Sequence, residues 1–203
     1  SLFHDLDSMT KTNERLDRLV EYFNSAPHED SIWVCWFLSG NRIKGAVKTG
    51  ELRSFLSDWS KLPLWLIEEC HDRVGDLAET IALLAGQEEK GGSLGLDQTI
   101  RKFLLPLRDL DPSLKKELLA DAWNYLSEKE MLPFHKLLTG GFRMGVSKGN
   151  LCKALSRVSN QEPSRIAQRI AGDWNCENTL FSEITQMEFI SHIQLNTIGY
   201  YFS

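Results

Sequence analysis

The sequence of 203 residues predicts an all-α fold, a single compact domain of about ten short helices. The first observation is an apolar pattern at the i, i+3, i+4, i+7 spacing of one buried helix face, seen at Leu16, Leu19, Val20 and Phe23. The second is a series of helix-start signals along the chain. The third is that no run alternates apolar and polar residues between turn signals, so no strand is predicted.

The first 70 residues supply four helix signals in order. After the opening helix, Ile32–Leu38 (IWVCWFL) is apolar all round, and its helical neighbours favour a buried helix over a core strand. Glycines and cations in Gly40–Gly50 indicate an exposed loop, and Thr49 then precedes an amphipathic helix. Pro63 suits the first turn of the next one. Later helix starts are predicted at Asp76, Asp111-Pro112, Ser127, Ser147 and Pro163.

Several classes of protein are excluded by the composition. Apolar residues make up 42% and charged residues 25% of the chain, which is typical of a globular protein. No apolar stretch approaches the ~20 residues of a membrane span, and the charged N-terminus lacks a signal-peptide core, so we expect a cytoplasmic protein. The four cysteines are far apart and are interpreted as buried hydrophobes. The five histidines lack metal-ligand spacing, so no metal site is predicted.

The distribution of charge matters more than the net charge of −5. Between Phe134 and Gly172 there are seven basic residues and one acid, a net charge of +6, so the rest of the chain carries −11. A smaller basic run contains Arg42, Lys44 and Lys48. An acidic protein with one concentrated basic segment is predicted to present a face for an anionic partner.

The most informative stretch is Lys136–Lys148, KLLTGGFRMGVSK. Its glycines, Gly140, Gly141 and Gly145, permit positive φ angles and close approach of another backbone. A helix then begins at Ser147, whose free amides and dipole suit a phosphate, with Lys136, Arg143 and Lys148 around it. Such contacts are made with the nucleic-acid backbone and are independent of sequence. The purely structural interpretation is a glycine C-cap, a tight turn and an N-cap with solvated lysines.

A weak internal repeat accompanies this stretch. Arg73-Val-Gly-Asp76 opens one helix, and Arg143-Met-Gly-Val-Ser147 opens another about 70 residues later. In this register Ile81 falls on Leu151 and Ala85 falls on Leu155. Two related turn-plus-helix units would place two helix N-termini on one surface.

Four segments in a fixed order resemble the N-terminal DNA-binding domain of ATP-dependent DNA ligases, particularly bacterial ones. They are RVGDLAETIALL (73–84), FLLPLRDLD (103–111), HKLLTGGFRMGVS (135–147) and RIAGDW (169–174). The opening LDSMTKTNERLDRLVEYF fits the first helix of that domain. The resemblance covers residues 1–174 and leaves 175–203 as a tail or linker toward a catalytic domain.

The resemblance implies two pseudo-symmetric helical halves that hold the minor groove of nicked duplex DNA through phosphates. By the family motif, Gly140, Arg143 and Gly145 would touch the DNA backbone, and Gly75 and Asp76 would mark the equivalent turn of the other half. The full set of candidate DNA-binding residues is Lys136, Thr139, Gly140, Arg143, Gly145, Ser147, Lys148, Gly75, Asp76, Arg42 and Lys44. Gly149, early in the following helix, departs from expectation and is predicted to weaken that terminus.

No catalytic residue is predicted in this chain. The resemblance implies that catalysis belongs to a nucleotidyltransferase domain, followed by an OB-fold domain, which forms a lysyl-adenylate on a K-x-D-G motif with ATP and Mg²⁺. None of the twelve aspartates here precedes a glycine, so the motif is missing. We therefore expect nicked duplex DNA and those two domains as partners, and a place at the nucleoid.

Two other functions remain open at this stage. A helical protein-interaction module would use the same basic face for an acidic protein partner. A small helix-hairpin-helix repair enzyme, such as a glycosylase, would need a catalytic Lys or Asp beside the glycine hairpin, where Asp173 is the nearby acid after Glu162.

Overall fold

The all-α prediction is confirmed by the computed structural model, which describes residues 2–86, 94–140, 145–172 and 174–185. These residues form twelve α-helices and no strand. The helices are α1 (Leu2–Ser8), α2 (Thr12–Ser25), α3 (His28–Leu38), α4 (Thr49–Ser60), α5 (Leu64–Val74), α6 (Leu77–Ala85), α7 (Leu96–Thr99), α8 (Pro112–Tyr125), α9 (Glu128–Thr139), α10 (Lys148–Ser159), α11 (Pro163–Ala171) and α12 (Phe181–Thr185). A π turn at Ile100–Leu104 and a 3₁₀ turn at Pro106–Arg108 follow α7.

Helices α6 and α9 begin at the predicted cap residues. Asp76 accepts a hydrogen bond from the Glu79 amide at 2.9 Å, which satisfies a free donor of α6. Ser127 and Glu130 form a capping box at the start of α9. The apolar run 32–38 lies within α3, as predicted, and all of it except Trp36 is buried.

The predicted opening helix is wrong in one respect, because the segment forms two helices rather than one. The break lies between α1 and α2, and Arg15 stabilises it. The Arg15 guanidinium donates to the Leu6 carbonyl at 3.2 Å and also to the Met9 carbonyl. These bonds satisfy carbonyls that α1 leaves free at its C-terminus.

The core is formed by helices that are distant in sequence. The most extensive helix–helix contact among the described residues joins α6 and α9, and α10 packs on α2 and α11. Ile81 and Ala85 of α6 and Leu151 and Leu155 of α10 are all buried, as the internal repeat predicts. The four cysteines are free, and three of them are buried.

The residues after α11 pack on the same core as far as Thr185. Phe181 of α12 is buried and stacks on Phe23, with the two ring centroids 5.6 Å apart. The Arg169 side chain donates to the Ile184 carbonyl at 3.1 Å. Residues 186–203 lie outside the described residues.

The six tryptophans differ in burial. Trp33 and Trp123 are buried, whereas Trp36, Trp59 and Trp174 are half-buried and Trp65 of α5 is 66% exposed. Amphipathic spacing alone does not distinguish a ring in the core from one at its edge.

None of the described helices is long and apolar enough to cross a membrane.

A buried histidine joins α8 to α9. The Trp123 indole N–H donates to His135 Nε2 at 2.8 Å, so the imidazole proton is on Nδ1 and is donated to the Met131 carbonyl at 2.8 Å. His135 is completely buried. Burial lowers the pKa of His135 from 6.5 to about 4, although the bond to the Met131 carbonyl opposes this shift.

This network predicts a loss of stability in mild acid. His135 takes up a proton near pH 6.5 in the unfolded chain but only near pH 4 in the folded chain. The contribution of neutral His135 to the free energy of unfolding is therefore fully present above pH 6.5 and decreases as the pH falls below it. Two to three pKa units correspond to about 3 kcal/mol of the free energy of unfolding between pH 7 and pH 4. Urea denaturation across this range measures the change.

The control for this prediction is His135→Gln, whose amide does not titrate and still offers an acceptor to Trp123. The difference in unfolding free energy between the wild type and this variant isolates the histidine from the carboxylates that also titrate below pH 5. A pH dependence unchanged by His135→Gln would contradict the assignment.

Candidate nucleic-acid interface

An ion pair joins the last turns of α9 to the first turn of α6. Lys136 Nζ lies 2.6 Å from Asp76 Oδ2, and the Lys136 side chain is only 18% exposed. These two predicted site residues therefore meet each other. Lys136 is not a free cation, since its charge is compensated by the residue that caps α6.

The pKa of Asp76 reflects both its ion pair with Lys136 and its capping of α6. Burial alone would raise it, but the hydrogen bond from Lys136, the Glu79 amide and the Lys136 charge outweigh burial, so the pKa is lowered. Asp76 is therefore ionised at neutral pH. The α6 N-terminus already holds an anion of its own.

A second contact brings the loop between α3 and α4, residues 39–48, against the end of α9. Gly140 ends α9 in the left-handed conformation, with φ of +71°. A Cβ placed on Gly140 would lie 3.3 Å from Arg42 Cδ. Arg42 thus lies across the glycine turn, and its side chain is exposed. Thr139, one residue earlier, uses its hydroxyl to donate to the His135 carbonyl at 2.8 Å.

The same loop reaches the start of α10. A Cβ on Gly40 would lie 3.7 Å from Lys148 Cε, so the first residue of α10 lies beside the loop that carries Arg42 and Lys44. Ser147 caps α10 by accepting from the Asn150 amide at 3.2 Å. No acid occupies this helix N-terminus within the described chain, in contrast to α6.

The turn before α10 is held from the opposite side by Arg15. Gly145 has φ of +61°, and its carbonyl accepts from Arg15 Nη1 at 3.5 Å. Arg15 thus connects the turn to α1 and α2. Arg15 is not among the predicted site residues. It is one of several charged residues on an amphipathic helix, and no local sequence pattern indicates that it contacts Gly145.

The cations of the basic segment do not all face one surface as free charges. Lys136 pairs with Asp76, Arg157 pairs with Asp17 at 3.0 Å, and Arg169 bonds a carbonyl. Arg143 and Gly141 lie outside the described residues. Within the described part of the basic segment and the 39–48 loop, six exposed cations have no carboxylate partner among the described residues, and these are Arg42, Lys44, Lys48, Lys148, Lys153 and Arg165. We call Arg42, Gly140, Gly40, Lys44 and Lys148 together the loop–turn surface.

The two turns of the internal repeat share their backbone pattern but not their charge. Gly75 ends α5 with φ of +79° and is followed directly by the Asp76 cap. Gly145 has a similar φ and is followed two residues later by the Ser147 cap. The first turn is acidic and internally paired, whereas the second ends in a neutral cap that the exposed cation Lys148 follows.

Comparison with known proteins supports the sequence resemblance. The family model described as "DNA ligase N terminus" matches residues 1–171. No individual curated protein matches the chain.

The Lys136–Asp76 pair predicts a measurable coupling. Because both side chains are largely withdrawn from solvent, a double-mutant cycle of Lys136→Gln and Asp76→Asn should give a coupling energy of about 0.5–1 kcal/mol. Urea denaturation of the four proteins provides the unfolding free energies. The same cycle on the exposed pair Arg157–Asp17 is the control and should give less, while equal couplings would contradict the role of the α6–α9 pair.

Substitution by alanine at Gly145, in the turn before α10, and at Gly149, within α10, should change the stability of the fold in opposite directions. Gly145→Ala should destabilise the fold by about 1–2 kcal/mol, because φ is positive and the new Cβ would lie 2.6 Å from Arg15 Nη1. Gly149→Ala is the matched control, since its Cβ would meet only Ser147 Oγ at 3.8 Å. That variant should stabilise α10 by about 0.5 kcal/mol. Thermal unfolding measures both, and a neutral Gly145→Ala would contradict the described turn.

Proposed function

The chain belongs to the DNA ligase N-terminal family, and from that premise we propose that it binds nicked duplex DNA through phosphates along the minor groove. Binding is independent of base sequence. Its role is to hold the two ends of a nick for the catalytic part of an ATP-dependent ligase in DNA repair or replication.

The loop–turn surface is the observation that supports this proposal most. Arg42 lies over the Gly140 turn, and Lys148 extends from the start of α10 beside Gly40. Cations and backbone amides beside a glycine turn recognise phosphate oxygens and distinguish no base. Because Gly140 has no side chain, Arg42 packs directly against the turn and places its cation there.

The acidic remainder of the chain is compatible with this role. A net charge of −5 opposes DNA at long range, so binding depends on local contacts that release counterions from the duplex. Each neutralised phosphate contributes about −0.9 to the slope of log affinity against log salt on B-DNA. The six unpartnered cations of the basic segment and the 39–48 loop set the scale of this slope.

Strand joining itself would be performed by other domains. Without a K-x-D-G motif this chain has no lysine nucleophile of the ligase type, so the proposed parent ligase would supply ATP and Mg²⁺ to its nucleotidyltransferase domain and close an OB-fold domain around the DNA. The proposed partners are therefore nicked DNA and those two domains, and the proposed location is the nucleoid.

The proposal predicts that Arg42→Gln weakens binding to every duplex alike. Losing one charged phosphate contact should lower affinity about tenfold and should reduce the salt slope by about 0.9. Fluorescence anisotropy with two nicked duplexes of unrelated sequence, each at several salt concentrations, measures both quantities. Arg143→Gln, chosen from the family motif, should behave in the same way.

Lys116→Gln is the control, since it removes the same charge from a lysine that Asp58 already holds at 2.6 Å. It should leave affinity within about twofold. A change in preference between the two sequences would contradict backbone binding. If an acidic polypeptide displaced the DNA and bound more tightly at matched salt, the surface would instead be a protein-interaction site.

A further inference from the structure

A cleft of about 820 Å³ lies beside the loop–turn surface, between the 39–48 loop and residues 174–177. Its lining includes Trp36, Arg42 and Lys44 from α3 and the 39–48 loop, which we call the first wall, and Arg108, Trp174 and Glu177 from later in the chain, which we call the second wall. We call it the Trp36 cleft. Arg42 belongs both to this cleft and to the proposed phosphate-binding surface, so the two are continuous.

The two walls differ in charge. Arg108 pairs with Glu177 at 3.2 Å, so the second wall is close to neutral. Arg42 and Lys44 are exposed and have no carboxylate partner among the described residues. The cleft therefore combines aromatic rings with an uncompensated positive charge.

Both rings are held in place. Trp36 packs edge-on against Phe37, with centroids 5.1 Å apart and an angle of 73° between the rings. The Trp174 indole N–H donates to the Ile170 carbonyl at 3.2 Å. Each ring is half-buried, so part of its surface remains open to a ligand. Fixed aromatic rings beside cations are the features with which proteins bind unpaired nucleotides.

We propose that the Trp36 cleft takes one unpaired nucleotide of a DNA strand end at the nick. The base stacks on the tryptophan rings, and Arg42 and Lys44 bind the phosphate. The volume lies within the range of about 300–1,000 Å³ for small-ligand sites. This inference rests on the proposed function, because Arg42 connects the cleft to the duplex surface. A base paired in the duplex would first have to be unstacked, so an unpaired end is the favoured ligand.

The test compares three probes on the whole chain. They are a nicked duplex with a single unpaired 2-aminopurine nucleotide at the 5′ side of the nick, the same nick with 2-aminopurine paired, and free 5′-dAMP. The unpaired end should bind about fivefold more tightly than the paired nick, and its 2-aminopurine fluorescence should be quenched on binding. Free 5′-dAMP should bind far more weakly, since it lacks the duplex contacts.

Trp36→Leu and Trp174→Leu test the two walls separately. Each should abolish the preference for the unpaired end and the quenching, while affinity for the paired nick stays within about twofold. Thermal unfolding identifies a variant that fails to fold, and the other variant then decides. Trp65→Leu is the matched control, because this exposed ring of α5 is not part of the cleft lining, and it should retain the preference and the quenching.

The outcomes separate the two proposals. Equal affinity for paired and unpaired ends, without quenching, overturns the cleft assignment and leaves duplex binding intact. Binding of free 5′-dAMP as tight as that of the strand end would show a mononucleotide site and would overturn the strand-end assignment. If the wild-type chain binds neither nicked duplex, the proposed function itself is overturned.

Discussion

The position of the α9 C-terminus is the constraint on which the rest of the site depends. Asp76 caps α6 and holds Lys136 at 2.6 Å, so the start of α6 is tied to the last turn of α9. Gly140 follows Lys136 by four residues, or about 6 Å along the helix axis. On the other side, the buried His135–Trp123 hydrogen bond fixes α9 against α8. The glycine turn therefore projects from a helix end that is fixed on two sides.

Ion pairs in the folded chain compensate part of the basic charge that the sequence concentrates between Phe134 and Gly172. Lys136 and Arg157 compensate acids of distant helices, so the segment from Phe134 to Gly172 offers fewer free cations than its net charge of +6 indicates. The 39–48 loop restores charge by bringing Arg42 against Gly140. The proposed surface for anions thus comes from two parts of the chain, and neither part alone determines where it lies.

This division also explains how far the sequence allowed prediction. Helix starts depend on side chains within three residues of the backbone donors they satisfy, so Asp76, Ser127 and Ser147 were found from local chemistry. The buried register of Ile81 and Leu151 follows from the apolar period. The partners of Lys136 and Arg15 lie 60 and 130 residues away, and no local pattern encodes such pairs. The sequence therefore gave no sign that Lys136 and Asp76, both predicted as site residues, neutralise each other.

The unequal charge of the two repeated turns has a mechanical consequence. A helix N-terminus attracts one anion, and at α6 that place is taken by Asp76, whose charge Lys136 then compensates. At α10 the cap is the neutral Ser147, so the helix dipole and Lys148 remain available to an external anion. One turn binds within the protein and holds the two helical units together, while the other faces outward. Under the proposed function, the different cap residues of the two turns thus give α6 a supporting role and α10 a binding role.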